Sequence, residues 1–232
     1  MFTIAIANSK GGSAKSTLAV NLATCARSIG CRSLLIDCDF VQQSLVSWGE
    51  LRKQQCCRDL GASLPPIPVL AAPTERVADV LKQAREKNAT LAVIDTAAGQ
   101  TNALTRVFEL SDLVIIPTQP TLNDIEGSKP TARLAHMLRK PYRFLLTRVT
   151  PGHTRRVALW RARYGQEGPL LGGQFTNRVA FQDAMVVGMG ASEWSPGCEA
   201  AREAYEVFDN VMDLAERSRD EGRPGPRPPF RA

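Results

Sequence analysis

Residues 10 to 17 read Lys10-Gly11-Gly12-Ser13-Ala14-Lys15-Ser16-Thr17, between the apolar run Phe2–Ala7 and the helical pattern Leu18, Val20, Leu22, Ala23, Ala26. A strand, a loop of small residues carrying a lysine, and a helix entered at Ser/Thr together make a phosphate cradle. Such a cradle needs loop N–H groups and a helix N-terminus converging on phosphate oxygens, a lysine to neutralise them and a hydroxyl to hold Mg²⁺. Lys15 and Ser16 fit the last two roles. Carboxylates follow two further apolar runs: Asp37 and Asp39 after Leu34-Leu35-Ile36, and Asp95 after Leu91-Ala92-Val93-Ile94. Ligands of open α/β sheets sit at the carboxyl ends of the strands, so these acids belong beside the same cradle.

The elements that must position them follow from the pattern. Apolar runs bounded by turn signals fall at Phe2–Ala7, Ser33–Ile36, Ile67–Ala71, Leu91–Ile94, Leu113–Ile116, Phe144–Val149 and Leu170–Phe175. Helices are predicted over Thr17–Ser28, Gln43–Gln55, Thr74–Glu86, Asn102–Glu109, Leu122–Leu138, Thr154–Tyr164 and about Cys198–Ser218, the last set off by Pro196-Gly197. Strands alternating with helix-length segments predict an α/β fold, a mostly parallel sheet covered by helices on both faces. One domain over residues 1–218 is expected, followed by a Pro/Arg-rich tail at 219–232 whose composition predicts disorder.

The generic P-loop pattern G-x-x-x-x-G-K-[ST] is broken at both glycines, where Ser9 and Ala14 stand. What fits is the variant with a second lysine and a Gly pair ahead of the loop, and here the sequence resembles the ParA/MinD family of deviant Walker ATPases. It is most similar to small ParA partition ATPases without an N-terminal helix-turn-helix. The resemblance runs from Met1 to about Glu216 and rests on the first 45 residues and on Asp95. It implies a P-loop NTPase fold with a deviant Walker A motif, ATP and Mg²⁺ as cofactors, and slow hydrolysis stimulated by a partner. Lys10, Gly11, Gly12, Ser13, Ala14, Lys15, Ser16 and Thr17 are then the nucleotide-binding loop, with Lys10 reaching across a nucleotide-sandwiched homodimer to the partner's phosphates. Asp39 orients the hydrolytic water, while Asp37 supports the loop and the metal's water shell. Ser16 and Asp95 hold Mg²⁺, Asp95 in the manner of a Walker B carboxylate, and Ala97-Ala98-Gly99 forms a second switch segment. Arg148, at the end of a later strand, contacts the adenine base. The segment Phe175–Ala184 with Gly188-Met189-Gly190 implies a nucleotide-proximal loop, or else a plain core helix with a surface Arg178.

The chain departs from the family where Phe40-Val41 replaces the proline of D-x-D-P-Q and where Ala97-Ala98-Gly99 follows Asp95-Thr96 in place of the two prolines of D-T-P-P. Ala14 carries its own expectation. If that loop position needs positive φ, a non-glycine residue adds strain of order 1 kcal/mol and weakens nucleotide affinity.

Net charge is +6 over 232 residues, with 44% hydrophobic and 22% charged. From Gly127 to Gln166 there is no Asp or Glu, while ten Lys/Arg fall in that window. This is the footprint of a polyanion-facing surface, and Arg155, Arg156, Arg161 and Arg163 on one predicted helix are the candidate DNA contacts. A solvated basic helix is the plain alternative. Six cysteines without C-x-x-C pairing or an interleaved histidine pattern read as reduced packing thiols. A polar N-terminus and the lack of a membrane-length apolar run predict a cytoplasmic protein, nucleoid-associated when ATP-bound.

The function these readings converge on is an ATP-dependent dimerising ATPase that binds DNA non-specifically and partitions or positions a plasmid, chromosome region or protein cargo. A small adaptor protein would stimulate its hydrolysis. A conjugation accessory ATPase of the same fold is the near alternative. A MinD-like membrane switch is the more distant one, disfavoured by a Pro-rich end without an apolar helical face.

Overall fold

The computed structural model describes residues 1–56, 64–99 and 101–220. Among these, six strands form one sheet: β1 (Phe2–Ile6), β2 (Ser33–Asp37), β3 (Val69–Ala71), β4 (Leu91–Asp95), β5 (Leu113–Thr118) and β6 (Tyr142–Leu146). Their order is β3-β2-β4-β1-β5-β6 and every pairing is parallel. The helices are α1 (Lys15–Ser28), α2 (Ser44–Cys56), α3 (Val77–Glu86, preceded by a 3₁₀ turn at Thr74–Arg76), α4 (Thr101–Leu110), α5 (Leu122–Met137), α6 (Thr154–Gly165), α7 (Val179–Val186), α8 (Ala191–Trp194) and α9 (Glu199–Asp220).

Alternation along the strands sorts the core into two layers. Ile4, Ile6, Leu35, Val93, Ile115 and Leu145 face a layer completed by α1 and α9, where Leu18, Leu22, Val207, Phe208 and Val211 are buried. Ala5, Ile36, Ile94, Val114, Ile116 and Phe144 face the other, completed by α3 to α6 through Leu81, Phe108, Ile125 and Tyr164. Strand register then decides where the chemistry falls. Ile6, Asp37 and Asp95 stand side by side at the carboxyl edge, since Asp95 pairs with both neighbours.

The predicted seventh strand, Leu170–Phe175, is a correction. It is reduced to two isolated bridges, Phe144 to Leu170 and Val149 to Thr176. The reason lies in Gly172-Gly173, which passes hard against α9. A Cβ at Gly172 would stand 2.0 Å from Asn210 Oδ1, and Gly173 turns with φ +76°. Close approach and positive φ break the ladder there. The helix α9 continues to Asp220, two residues past the expected boundary, and the remainder of the predicted tail, 221–232, lies outside the described residues, as does Cys57. Cys25, Cys31 and Cys38 are buried, and burial lifts the Cys25 and Cys38 thiols to about 12. No helix among the described residues is long and apolar enough to cross a membrane.

Candidate nucleotide-binding site

After β1 the chain leaves the sheet through the buried Asn8, whose amide donates to Pro117 O (2.8 Å) and accepts from Lys10 N (3.0 Å). The loop turns with positive φ at Gly12 (+73°) and at Ala14 (+67°). Ala14 is left-handed immediately before α1, which begins at Lys15 and carries no acidic residue in its first turn. A free, acid-less helix N-terminus behind a turn of small residues favours an anion. In front of it opens a cavity of about 570 Å³, within the size range of small-molecule sites. Gly11 to Thr17 line it with Asp39, Val41, Gln42, Ser44, Asp95, Ala97, Ala98, Arg148 and Met185.

Asp95 is 2% exposed and is the electrostatic centre of this cavity. Burial pushes its carboxyl up to about 7; the Ser16 hydroxyl bond and Lys15 oppose that rise, while Asp37 and Asp39 add to it. Ser16 Oγ donates to Asp95 Oδ2 at 2.5 Å, and the buried Oδ1 has no hydrogen-bond partner. A buried orphan carboxylate oxygen beside a hydroxyl is a hard-oxygen donor set, the type Mg²⁺ prefers. The residues present therefore fit the cation.

Asp37 and Asp39 divide their duties. Asp37 accepts from Asp39 N (3.0 Å), Leu45 N (2.9 Å) and Val46 N (3.2 Å), so both its oxygens are taken by backbone. It caps α2 and anchors the loop, beneath the cavity lining rather than in it. Burial raises its carboxyl, opposed by those three N–H groups. Asp39 does line the cavity, and its Oδ1 holds the turn through Val41 N and Gln42 N. Phe40 and Val41, both exposed, stand where the proline was expected.

Lys10 is outside the lining. Its ammonium pairs with Asp124 Oδ2 at 2.9 Å, and its stem crosses α5 at Gly127, where a Cβ would come 3.4 Å from Lys10 Cδ. Ser9 adds bonds to Thr131 Oγ1 and to Gly127 O, so the loop's entry is fastened to α5. Asp124 belongs to the cap of α5, where Thr121-x-x-Asp124 is a capping pattern: Thr121 Oγ1 accepts from Asp124 N. Met185 and Ser44 were missed. Only their distant placement on α7 and α2 makes them lining residues. Arg178 turns away to α9, 2.9 Å from Glu203.

The basic face differs from its expectation. Arg155 and Arg156 are exposed on α6. Arg161, however, donates to Gly173 O, and Arg163 pairs with Glu167 at 3.3 Å and with Gln166 at 2.7 Å. Trp160 packs into the second core layer, so α6 does not present its arginines as one continuous face. The acid-free window ends one residue too soon for its charge to stay free, because Glu167 also reaches Lys129 at 3.4 Å.

A parallel sheet with helices on both faces and a phosphate loop at its carboxyl edge defines the phosphate-loop nucleotide-binding class. Within it, residues 4–189 match the CobQ/CobB/MinD/ParA nucleotide binding domain, and the chain belongs to that family. No curated protein sequence matches the chain. Among solved structures it is similar to the septum site-determining protein MinD of Pyrococcus horikoshii OT3 with Mg-ADP: TM-score 0.72, 17% identity, 94% of this chain and 98% of that one covered. It is also similar to a putative plasmid partition protein of Borrelia burgdorferi B31 bound to AMPPNP, at TM-score 0.66, 19% identity and coverage of 93% and 98%. A third is an ATP complex of a McdA variant from Cyanothece, at TM-score 0.65, 18% identity and coverage of 93% and 96%. At these identities the likeness is one of fold.

Proposed function

We propose that the chain is an ATP hydrolase whose ATP-bound form dimerises, binds DNA without sequence preference and positions a plasmid, chromosome region or protein cargo. The observation that carries this reading is the place of Lys10. A lysine one residue before the glycine pair, yet outside its own cavity and held on Asp124 at 2.9 Å, suits a phosphate brought by a second subunit.

Within one subunit the loop N–H groups and the α1 N-terminus receive the phosphates, and Lys15 neutralises them. Ser16 and Asp95 would hold Mg²⁺, which neutralises charge developing between the transferred and leaving phosphates. Asp39 orients the attacking water, and Arg148, which lines the same cavity, contacts the base. No strong base stands among the described lining residues, which suits slow intrinsic turnover raised by an adaptor protein. Exposed Arg155 and Arg156 supply the cationic surface for a DNA backbone. Support for ATP and Mg²⁺ comes from the family and from the Mg-ADP and ATP complexes of the similar structures.

Light scattering tests the reading. The protein should be monomeric with ADP and dimeric with a slowly hydrolysed ATP analogue, and Lys10→Ala should remain monomeric in both. An undisturbed dimer in Lys10→Ala would defeat the trans-lysine assignment. Retention on DNA against flotation with anionic liposomes, both with ATP, separates a nucleoid-type from a membrane-type switch.

A further inference from the structure

The carbonyls of two consecutive phosphate-loop residues are held from the carboxyl edge of the sheet. Gln119 Nε2 donates to Gly12 O at 3.1 Å, and Thr147 Oγ1 donates to Ser13 O at 3.1 Å. A trans peptide is planar, with its N–H opposed to its C=O. Fixing these two carbonyls therefore turns the Ser13 and Ala14 N–H groups away from the sheet edge, the direction a phosphate cradle requires.

Gln119 is itself held. Tyr164, wholly buried on α6, donates its hydroxyl to Gln119 O at 2.8 Å and lies 2.6 Å from Thr118 Oγ1. A phenol has a single proton, so with that proton on Gln119 the threonine hydroxyl is the donor in the second bond. The ring packs at 5.5 Å from Phe144 in the core. Packing alone would be satisfied by phenylalanine. The hydroxyl adds only the two bonds to the end of β5, and burying it costs free energy unless both are made.

We propose that Tyr164 is a positioning residue for the phosphate loop, acting through Gln119 on the Gly12 carbonyl. The helix α6 and the nucleotide cavity thus share one hydrogen-bonded path. The proposal rests on the cavity being the ATP site, and its test includes a measurement that needs no nucleotide.

In the nucleotide-free full chain, amide hydrogen exchange at Leu18, whose N–H donates to Ala14 O at 3.0 Å and so reports opening at the end of the loop, should accelerate about tenfold in Tyr164→Phe, because local opening becomes easier. Affinity for a fluorescent ATP analogue with Mg²⁺ should fall about three- to tenfold, the scale of one lost hydrogen bond. KM should rise in parallel, with kcat within about twofold of wild type. Gln119→Ala, at a half-buried position, should reproduce these effects, and the double variant should be no worse than either single one. Thr147→Val removes the bond to Ser13 O and should likewise move both readouts, without strict additivity, because Thr147 also bonds Thr118 O beside Tyr164. Unchanged exchange and unchanged affinity in Tyr164→Phe would overturn the proposal, whatever happens to its Tm, and so would full additivity of the Tyr164 and Gln119 variants. Should Tyr164→Phe not fold, Gln119→Ala alone decides the Gly12 contact by the same exchange measurement. If the wild type binds no ATP analogue, the ATP reading fails while the exchange data still judge the path.

Discussion

The nucleotide cavity and the α6 face both offer positive charge to an anion, and they are built on opposite principles. In the cavity the charge is fixed by backbone: positive φ at Gly12 and Ala14 shapes the loop, the α1 N-terminus points into it, and Lys15 stands opposite the buried Asp95. On α6 the charge rests on long side chains, and two of the four arginines turn back onto the protein, Arg161 to Gly173 O and Arg163 to Glu167. Charge density along a chain is therefore not charge density at a surface. A site defined by backbone survives the passage from sequence to structure; a patch defined by flexible side chains is re-sorted by whatever acid or carbonyl lies within reach.

The sharpest way to break this contrast is Lys15→Ala. Loss of a charge-assisted contact to phosphate in a cavity walled by backbone should weaken nucleotide binding about a hundredfold or more. Titration calorimetry would register it. Wild-type affinity in that variant would remove Lys15 from the site and leave the loop without its cation.

On α6 the expectation splits the four arginines in two. Arg155→Ala/Arg156→Ala should lower the slope of log K against log salt by about 1.8, the sum of two phosphate contacts at about 0.9 each, and weaken unrelated duplexes equally. Arg161→Ala/Arg163→Ala should leave that slope nearly unchanged and lower Tm instead, because it removes the bonds to Gly173 and Glu167. Filter binding at several salt concentrations, in the ATP-bound state, measures both. Equal loss from the two pairs would mean that Arg161 and Arg163 leave their internal partners when DNA arrives.

Asp95 sharpens the comparison from the cavity side through pH. Its folded carboxyl sits near 7, above the 3.8 of a free aspartate, so the folded chain holds a proton more tightly than the unfolded one. The nucleotide-free protein should therefore lose stability as pH rises from about 4 to about 7 and change little above. Asp37 and Asp209, both also raised by burial, act in the same direction. Holding Mg²⁺ requires the carboxylate, so ATP·Mg²⁺ binding should strengthen through the upper half of that window and release protons. Urea midpoints at pH 5 and pH 8 should differ in the wild type and draw together in Asp95→Asn; equal wild-type midpoints would mean that Asp95 is ionised throughout.

The sheet was legible in the sequence because strand and helix periods alternate cleanly and because Asp37 and Asp95 end apolar runs. Six of the seven predicted strands formed. The seventh failed at Gly172-Gly173, where contact with α9, far along the chain, overrides local pattern. The phosphate loop was legible because its chemistry is local. Lys10's partner Asp124, the cavity residue Met185 and the Tyr164–Gln119 path were not, since each joins residues more than forty positions apart through the strand order alone. Helix α7 was read only as an alternative beside a nucleotide-proximal loop, for its eight residues carry no clear amphipathic period.

Ala14 gives the smallest effect and the finest test of what backbone fixing means. The residue is left-handed, φ +67° and ψ 33°, with no nucleotide present. An alanine there is strained by about 1 kcal/mol relative to glycine. Strain already present in the empty loop is shared by the free and bound states, so it should appear in stability and cancel from affinity. Ala14→Gly should therefore raise Tm by about 2–4 °C for a chain of this length and change nucleotide affinity by less than about twofold. A marked gain in affinity at constant Tm would reverse that conclusion. The empty loop would then sample other conformations, with nucleotide driving Ala14 into the left-handed region, which is the weakened-affinity expectation raised by the sequence. Calorimetric melting and binding on the same two proteins distinguish the outcomes.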